Sequence, residues 1–388
     1  MRKTCRQLRG YVEDYIQIGN TITYLLHGIN NICSQKISIF KQNRHCVSII
    51  LGLMVFITGG GDVDRKQAVE TSEIMFVFKR HGKISSTYTH VLPGFPGRRV
   101  PRLEGFGGIS DGRIIVGYGR NIFEYKIKER RWTNQFINVH CQIDFELGVG
   151  IDTHLVGCAL NEDQLLFCWE TQVQLFQCKK NVSENDVPIK SSRVPSSTVG
   201  RQRSARPSNT QNLISTVCLT QLPVSANGDS LTRVDHNKVM FVGSYWVFEG
   251  ELSENKNDVI WRKLEFPKTP RRHHIAFKFG DSLYIAGGFE QQGNDFAELS
   301  SCERYDFKEN KWFDCPHTLP HPLVCASVVV SNDETFAVII GGYYRHDFGA
   351  HHESSQIITF TETDGFQLLE ENILSWPRSS CHTSIRIQ

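Results

Sequence analysis

The sequence predicts an all-β repeat protein, and three observations support this prediction. Helix-favouring runs are few, and the chain has 31 glycines, 24 phenylalanines and only 13 prolines. That mixture suits many short strands joined by turns. A short turn followed by a strongly apolar strand recurs along the chain. A tyrosine and a tryptophan also recur at a fixed offset after two of these strands.

The apolar strand occurs six times, each time after a short polar or glycine turn and usually before a glycine. The six strands are Leu53 to Thr58, Arg113 to Val116, Gln164 to Cys168, Lys238 to Val242, Ser282 to Ala286 and Thr335 to Ile340. In the unit around Phe167, Trp169 takes the place of the glycine. A unit repeated in this way is typical of stacked-sheet architectures.

The second repeated feature is the aromatic pair. Tyr125 precedes Trp132 by seven positions, and Tyr305 precedes Trp312 by seven. The segments FEYKIKERRW and ERYDFKENKW both read as a strand, a polar turn and a second strand that opens with tryptophan. Stacked sheets require such aromatic residues, since each sheet must bury its face against the next one.

The order of apolar strand, Gly-Gly, variable loop, Tyr, six residues and Trp resembles the kelch repeat. The match is close from Tyr284 to Trp312 and good from Phe336 to Phe366, where Phe366 takes the place of tryptophan. It is partial in the first two units and weak in the third and fourth. The last two glycine pairs are 54 residues apart, close to the roughly 50 residues of a kelch repeat.

Six such units imply a six-bladed kelch-type β-propeller over residues 46–388, each blade a four-stranded antiparallel sheet around a central channel. The C-terminal segment WPRSSCHTSIRIQ resembles RRHHIAFKFG, the strand that opens the blade near Tyr284. That last strand would close the ring by pairing with the first blade and leave no exposed edge. The segment Cys46 to Leu51 also reads as an opening strand of that blade. Either the closure is unusual or one end of the sequence is imperfect.

Two segments differ in composition from the strand-rich remainder. Residues 1–45 form a short, basic N-terminal leader with apolar residues at helical spacing, interrupted by Gly19-Asn20 and Gly28. We expect one helix or disorder there. Residues 181–212 are rich in Ser, Arg and Pro, and we expect a disordered insert within the propeller.

Charge and hydropathy exclude several classes of partner. Lys and Arg number 43 against 41 Asp and Glu, a formal net charge of +2, so no basic face for nucleic acid or a membrane surface is expected. The apolar run from Cys46 to Ile57 is shorter than the roughly 18–20 residues of a spanning helix, and Gly52 divides it. The 12 cysteines form no CxxC pair, which favours free thiols in the cytoplasm.

The strands of a blade are named a to d from the centre outward. The b–c and d–a loops then share one face of the ring, which we call the b–c face. The b–c loops are the long ones, and long loops on a rigid scaffold are where binding residues concentrate. Kelch proteins generally hold partner peptides on this face, so the resemblance implies partner contacts there. The candidate partner-binding residues are Arg98, Arg99, Arg271, Arg272, Tyr343, Tyr344, Arg345 and Arg378.

The arginines of this set can bind an acidic peptide motif through bidentate contacts. The tyrosines add the residue type that dominates binding hot spots. The alternative is that an arginine ahead of strand a only solvates a loop. The 181–212 insert falls in a c–d loop, so we expect it to leave on the opposite face and not to cover the partner site.

Catalytic and metal motifs are not recognised in the sequence. It has no Walker loop, no GxGxxG after a strand and no HExxH. His346, His351 and His352 lie close together but lack the spacing of a compact zinc motif. Copper radical oxidases share the kelch fold, and their cofactor motif cannot be placed here. We expect no catalysis, no cofactor and no metal.

The sequence therefore predicts a non-catalytic, monomeric protein-interaction module in the cytoplasm. Kelch proteins include ubiquitin-ligase substrate adaptors and actin-associated scaffolds, so the resemblance implies one of these roles. The leader is too short for the BTB domain that many such adaptors carry. The alternative function is a small-molecule enzyme with its pocket at the propeller channel, which ionisable residues converging on the channel mouth would favour.

Overall fold

A computed structural model describes a large part of the strand-rich region. The described residues are 52–62, 67–68, 72–80, 83–92, 105–110, 113–118, 121–126, 131–138, 155–161, 164–178, 214–226, 229–255, 257–292, 295–345, 351–353, 356–370 and 380–387. The predicted leader (1–45), the segment Cys46 to Leu51 and the predicted insert (181–212) lie outside them.

Five sheets in the described residues have four antiparallel strands each, paired in the order a, b, c, d. The first two are β5 to β8 (Gly105–Ser110, Arg113–Tyr118, Asn121–Lys126, Arg131–Asn138) and β9 to β12 (Leu155–Asn161, Gln164–Trp169, Gln172–Cys178, Ile214–Leu219). The third is β13 to β16 (Ser230–Arg233, Lys238–Val242, Val247–Leu252, Val259–Leu264).

The other two regular sheets carry an additional hairpin between their second and third strands. One sheet is β17, β18, β21 and β22 (Ile275–Phe279, Ser282–Ala286, Cys302–Asp306, Lys311–Asp314), with the hairpin β19 and β20 (Phe289–Gln292, Asp295–Glu298). The other is β23, β24, β27 and β28 (Ser327–Val330, Ala337–Ile340, Ile357–Thr361, Gly365–Glu370), with the hairpin β25 and β26 (Tyr343–Arg345, His351–Glu353).

The remaining large sheet has five strands and contains both ends of the described chain. Its strands are β1 to β4 (Gly52–Asp62, Gln67–Ala68, Ser72–Arg80, Lys83–Leu92) and β29 (Ser380–Ile387). Strand β29 pairs antiparallel with β1, from Met54 opposite Ile387 to Gly61 opposite Ser380. The C-terminal strand thus lies beside the first apolar strand, as expected from its resemblance to the other a strands.

One edge strand from each of the six large sheets lies next to that of its neighbours, and together these strands form a closed ring. Strand β5 contacts β9, β9 contacts β13, β13 contacts β17, β17 contacts β23, β23 contacts β29, and β29 contacts β5. Sheets arranged radially in this way form a β-propeller, which confirms the all-β propeller architecture.

The count of six regular blades is wrong for the described residues, which contain five four-stranded blades and one five-stranded sheet. The sequence units were recognised by their apolar b strands, and all six of those strands are present. The sequence did not show how many strands each sheet contains: β1 pairs with both β29 and the short β2. For the same reason Gly59-Gly60 lies inside β1 and does not end the strand.

The core lies between consecutive sheets. Leu166 and Leu175 of one sheet pack with Phe241 and Phe248 of the next in one buried cluster. Such burial on both faces explains why the b strands, such as β18 and β24, are buried at every position.

The predicted aromatic pairs are cross-strand contacts between strands c and d. Tyr125 lies opposite Trp132 with ring centroids 5.2 Å apart, and Tyr305 lies opposite Trp312 at 5.3 Å. Phe360 and Phe366 form the corresponding pair at 4.7 Å. Phe366 therefore takes the place of the tryptophan, as the sequence indicated.

We predict that ring closure depends on β29. Deleting residues 380–388 removes an inner strand and leaves the hydrogen-bonding edge of β1 open, so we expect a large fall in the midpoint of thermal unfolding and aggregation through that edge. Deleting Gln388 alone is the matched control and should change neither. Circular dichroism melting and light scattering measure both effects, and an unchanged melt of the longer deletion would contradict the closure role.

Candidate interaction face

The b–c face carries additional strands in the described part of the chain. Three of its b–c connections form additional strands, which are β2 paired with β1, the hairpin β19 and β20, and the hairpin β25 and β26. These three sheets are neighbours, because their inner strands β17, β23 and β29 follow one another around the ring. Three neighbouring sheets therefore carry b–c loops with additional strands on one side of this face.

The glycine pairs allow the b–c and d–a loops of a blade to approach closely. Gly287 and Gly288 have φ angles of +67° and +82°, in the left-handed region that favours glycine. A Cβ on Gly288 would lie 2.4 Å from the carbonyl oxygen of Arg272. That approach lets Arg272 and Phe289 exchange two backbone hydrogen bonds of 3.0 Å.

The next blade repeats this arrangement. Gly341 and Gly342 have φ angles of +64° and +90°, and Val324 exchanges two 3.0 Å backbone hydrogen bonds with Tyr343. The d–a loops also bond to each other, since the Cys325 amide donates to the His273 carbonyl at 3.0 Å. Backbone hydrogen bonds thus link the b–c and d–a loops of these two neighbouring blades.

Arg271 is buried inside its blade. Its side chain is 0% exposed, and Nη2 donates to Oε1 of Glu303 at 2.7 Å. Nη1 donates to the carbonyl oxygens of Gly287 and Ser301 at 3.1 and 2.9 Å. Glu303 in turn accepts the backbone amide of Lys268 at 2.7 Å. This network ties the d–a loop to the ends of strands b and c.

Arg271 is therefore removed from the partner-binding set. The physical reason is that its buried guanidinium is already paired with the carboxylate of Glu303, 32 residues along the chain in the same blade. Removing one charge from a buried pair is costly, so this arginine stays with Glu303. The prediction that arginines ahead of strand a meet an acidic peptide does not hold for this position.

Arg272 lies nearer the surface and joins two blades. It is partly exposed, and its Nε donates to Oγ of Ser244 at 3.1 Å. Ser244 belongs to the short b–c turn of the preceding sheet. The remaining guanidinium nitrogens are the part of Arg272 that suits a carboxylate of a partner.

Tyr343 and Tyr344 lie at the base of the β25 and β26 hairpin and are both partly exposed. The Tyr344 ring lies 4.5 Å from the ring of His321 in the d–a loop. Nε2 of His321 lies 2.6 Å from Oε1 of Gln356. A partly exposed aromatic ring that packs against a second ring is a suitable anchor for a peptide.

The other predicted partner-binding residues have no described side chains. Arg98, Arg99 and Arg378 lie outside the described residues, and Arg345 is described only as part of strand β25. Their predicted role therefore stays a prediction from the sequence.

Large exposed aromatic residues on the b–c face were not recognised in the sequence. Tyr245 and Trp246 in a b–c turn are 49% and 43% exposed, and Phe266 in a d–a loop and Phe296 in strand β20 are each 51% exposed. The ammonium of Lys263 lies 4.2 Å from the centroid of the Trp246 ring. The sequence signal was available, because two adjacent aromatic residues follow Gly243-Ser244 in a turn.

The described residues contain no group of three His, Cys, Asp or Glu side chains that could hold a metal ion. The segment from Gly108 to Gly112 has the Gly-x-Ser-x-Gly spacing of a nucleophile elbow, but Ser110 pairs with Arg113 in the β5 and β6 hairpin. It therefore lacks the strand-to-helix turn that such an elbow requires.

A shallow depression of about 350 Å³ lies between two neighbouring blades. Its lining includes Asn161, His236 and Ser253, which belong to a–b and c–d turns. The depression is thus at the face opposite the b–c face.

The closed ring of sheets defines the chain as a β-propeller protein with an elaborated b–c face. Among solved structures, that of YjhT matches with a TM-score of 0.51 and 14% sequence identity, over 81% of this chain and 97% of that one. This likeness establishes the fold alone. In total 568 solved chains match, so the fold by itself selects no function.

No protein-family model matches the sequence, and no curated protein matches it either. Within the described ranges, no helix has the length and apolar character needed to cross a bilayer.

We predict that Gly288→Ala destabilises the propeller by at least about 3 kcal/mol, because it adds a steric clash with the Arg272 carbonyl to the strain of a positive φ angle. Gly280→Ala is the matched control, since Gly280 has a φ of +58° but nothing within 4 Å of an added Cβ. It should cost about 1–2 kcal/mol. Urea unfolding measures both, and equal losses would refute the close approach.

We predict that Arg271→Ala lowers the free energy of unfolding by about 3–5 kcal/mol, because it leaves the Glu303 carboxylate buried without its cation. Arg272→Ala, at the neighbouring position, loses one partly exposed hydrogen bond and should cost about 1 kcal/mol. The comparison uses guanidinium chloride unfolding of both variants. If Arg271→Ala were as mild as Arg272→Ala, the guanidinium of Arg271 would have to be solvated.

Proposed function

We propose that this chain is a non-catalytic kelch-type propeller that binds a partner protein or peptide on its b–c face. The observation that carries the proposal is the placement of the exposed aromatic residues. Tyr245, Trp246, Phe266 and Phe296 all belong to loops or hairpins of that face. The other large exposed hydrophobic residues in the described part, Ile260, Phe313 and Leu368, lie on outer d strands.

Exposed aromatic residues on the same face as the partly exposed Arg272, Tyr343 and Tyr344 favour protein binding. Such residues make up most hot spots, whereas a soluble surface normally avoids exposing them. The partner we propose is a segment with apolar side chains for the aromatic residues and a carboxylate for Arg272. Tyr343 and Tyr344 extend the same surface. Arg98, Arg99, Arg345 and Arg378 are retained from the sequence as further contacts.

Kelch membership is part of this proposal. It is supported by the facing Tyr305 and Trp312 rings and by glycine pairs whose φ angles suit the close loop approach. We also propose that the five-stranded sheet acts as a sixth blade, closed by β29 as its inner strand. The contacts of β29 with β5 on one side and β23 on the other support this interpretation.

The kelch proposal suggests a class of biological role and no particular partner. A ubiquitin-ligase substrate adaptor and an actin-associated scaffold both use such a face, and we propose a role of this kind in the cytoplasm. The six described cysteines form no disulfide, which is compatible with a reducing compartment.

The test is affinity purification of the full chain from cells followed by quantitative mass spectrometry. The variant Trp246→Ala/Phe296→Ala removes two exposed aromatic residues of the b–c face. We expect at least about a tenfold loss of the specific partners, the scale of a hot-spot residue. The captured partner is then confirmed by titration of the purified pair.

The matched control is Ile260→Ala/Leu368→Ala, which removes two exposed apolar side chains from outer d strands. It should keep the partners at the level of the unmodified chain. Partners that are retained by the face variant but lost by the control would move the binding site to the outer strands and overturn the proposal. Thermal unfolding of both variants shows whether a loss of binding reflects a loss of folded protein.

A further inference from the structure

Cys302 and Cys315 are directly opposite each other on neighbouring strands. Cys302 is the first residue of β21, and Cys315 directly follows β22. The register pairs Glu303 with Asp314, and the Cys315 amide donates to the Cys302 carbonyl at 3.1 Å. Opposed residues of an antiparallel pair project from the same side of the sheet.

The two sulfurs lie close enough to shift each other's pKa values, and the Cys302 thiol donates to the Glu303 carbonyl oxygen at 3.7 Å. Hydrogen-bonded antiparallel pairs have a Cα separation near 5.5 Å, which lies within the range that a disulfide spans. The pair can therefore be linked without moving the strands apart.

The two cysteines differ in access to solvent. Cys302 is buried against Tyr284 and Ala286 of the same core cluster, whereas Cys315 is partly exposed at the start of the d–a loop. An accessible first thiol with a buried second thiol beside it is the arrangement of a redox-sensitive pair.

We propose that Cys302 and Cys315 form a peroxide-sensitive dithiol that closes to an intramolecular disulfide, with Cys315 as the thiol attacked first. The proposal does not depend on partner binding. A disulfide here would fix the start of the d–a loop, which carries His321 and Val324 of the b–c face.

The reaction balances with a hydroperoxide as the oxidant. The Cys315 thiolate attacks one peroxide oxygen, the O–O bond breaks, and the hydroxide that leaves takes up a proton to become water. Cys315 is then a sulfenic acid. The Cys302 thiol loses its proton and attacks the Cys315 sulfur, the S–S bond forms, and the S–OH group leaves as the second water. Two thiols supply the two electrons that reduce one hydrogen peroxide.

The surroundings of Cys315 favour its thiolate. The neighbouring Cys302 thiol lowers the pKa of Cys315 to about 6, assisted by the His317 amide, the His317 ring and the Arg304 guanidinium, while partial burial acts in the opposite direction. The neighbouring Cys315 sulfur, together with burial, raises the pKa of Cys302. Among other charged groups, Arg271 lowers and Glu303 raises the pKa of Cys302. Tyr284 of β18 interacts with both cysteines, and Glu362, from the next blade's c–d turn, acts on Tyr284.

A second cysteine pair provides an internal control. Cys158 and Cys168 lie on the neighbouring strands β9 and β10, at diagonal positions of the register. Burial raises the pKa of Cys158 to about 12 and also raises that of Cys168. These two thiols should stay reduced under conditions that oxidise Cys302 and Cys315.

The experiment treats the reduced full chain with hydrogen peroxide, blocks the remaining thiols with N-ethylmaleimide and digests without reduction. Mass spectrometry should find a peptide linked through Cys302 and Cys315, lighter by two hydrogen atoms, that disappears on reduction. Peptides of Cys158 and Cys168 should carry the blocking group. A result with both pairs blocked, or with Cys315 joined only to other chains, would overturn the proposal.

The order of attack is tested with single variants. Cys302→Ser should let dimedone, which traps sulfenic acid, label Cys315, whereas Cys315→Ser should leave Cys302 unlabelled. At pH 7, Cys315 should be alkylated by iodoacetamide at least about tenfold faster than the more exposed Cys218, with its rate falling as the pH drops through 6 and the thiolate is protonated. If Cys218 reacts faster, Cys315 is not the thiol attacked first. Cys302→Ala serves as a second variant if the serine destabilises the core.

Discussion

The pairing of β29 with β1 joins the two ends of the described chain over most of the length of both strands. Each sheet in the ring buries its two faces against its two neighbours. Both faces of every sheet are therefore covered only if the ring is closed. An open ring would leave two apolar faces and two rows of unpaired backbone groups in water. Because β29 also contacts β5 and β23, this single antiparallel pairing supplies both the missing edge and the missing packing contacts.

Much of this architecture could be predicted from local sequence. The six b strands were recognised because strands buried on both faces read as continuous apolar runs between turns. The Phe366 substitution for tryptophan was recognised because its offset from the preceding strand is kept. The strands that pair with β1 could not be predicted, because β2 is only two residues long and two segments of the sequence were candidates for the position beside β1. Only pairing across the whole chain decides that slot.

The candidate site was harder to predict for a related reason. Arg271 and Arg272 are adjacent in a loop and look equivalent in the sequence. Arg271 is buried on Glu303 and Arg272 reaches Ser244 of the preceding sheet, and both partners are about thirty residues away in the chain. Loop arginines are usually surface residues, so local context favours the wrong assignment for Arg271. The exposed Trp246 was missed for the opposite reason, since an aromatic residue after a strand normally indicates core.

The same rules of position explain why the cysteines of one fold differ in chemistry. Cys168 lies inside a b strand, where desolvation disfavours the thiolate and makes the thiol inert. Cys315 lies where strand d ends, so that a neighbouring thiol, a loop amide and a histidine all reach its sulfur. Strand ends on the b–c face are also where the exposed aromatic residues and Arg272 lie. Inside a blade, burial suppresses the reactivity of ionisable groups. Reactive and partner-binding residues therefore concentrate at the strand ends, where the loops lie.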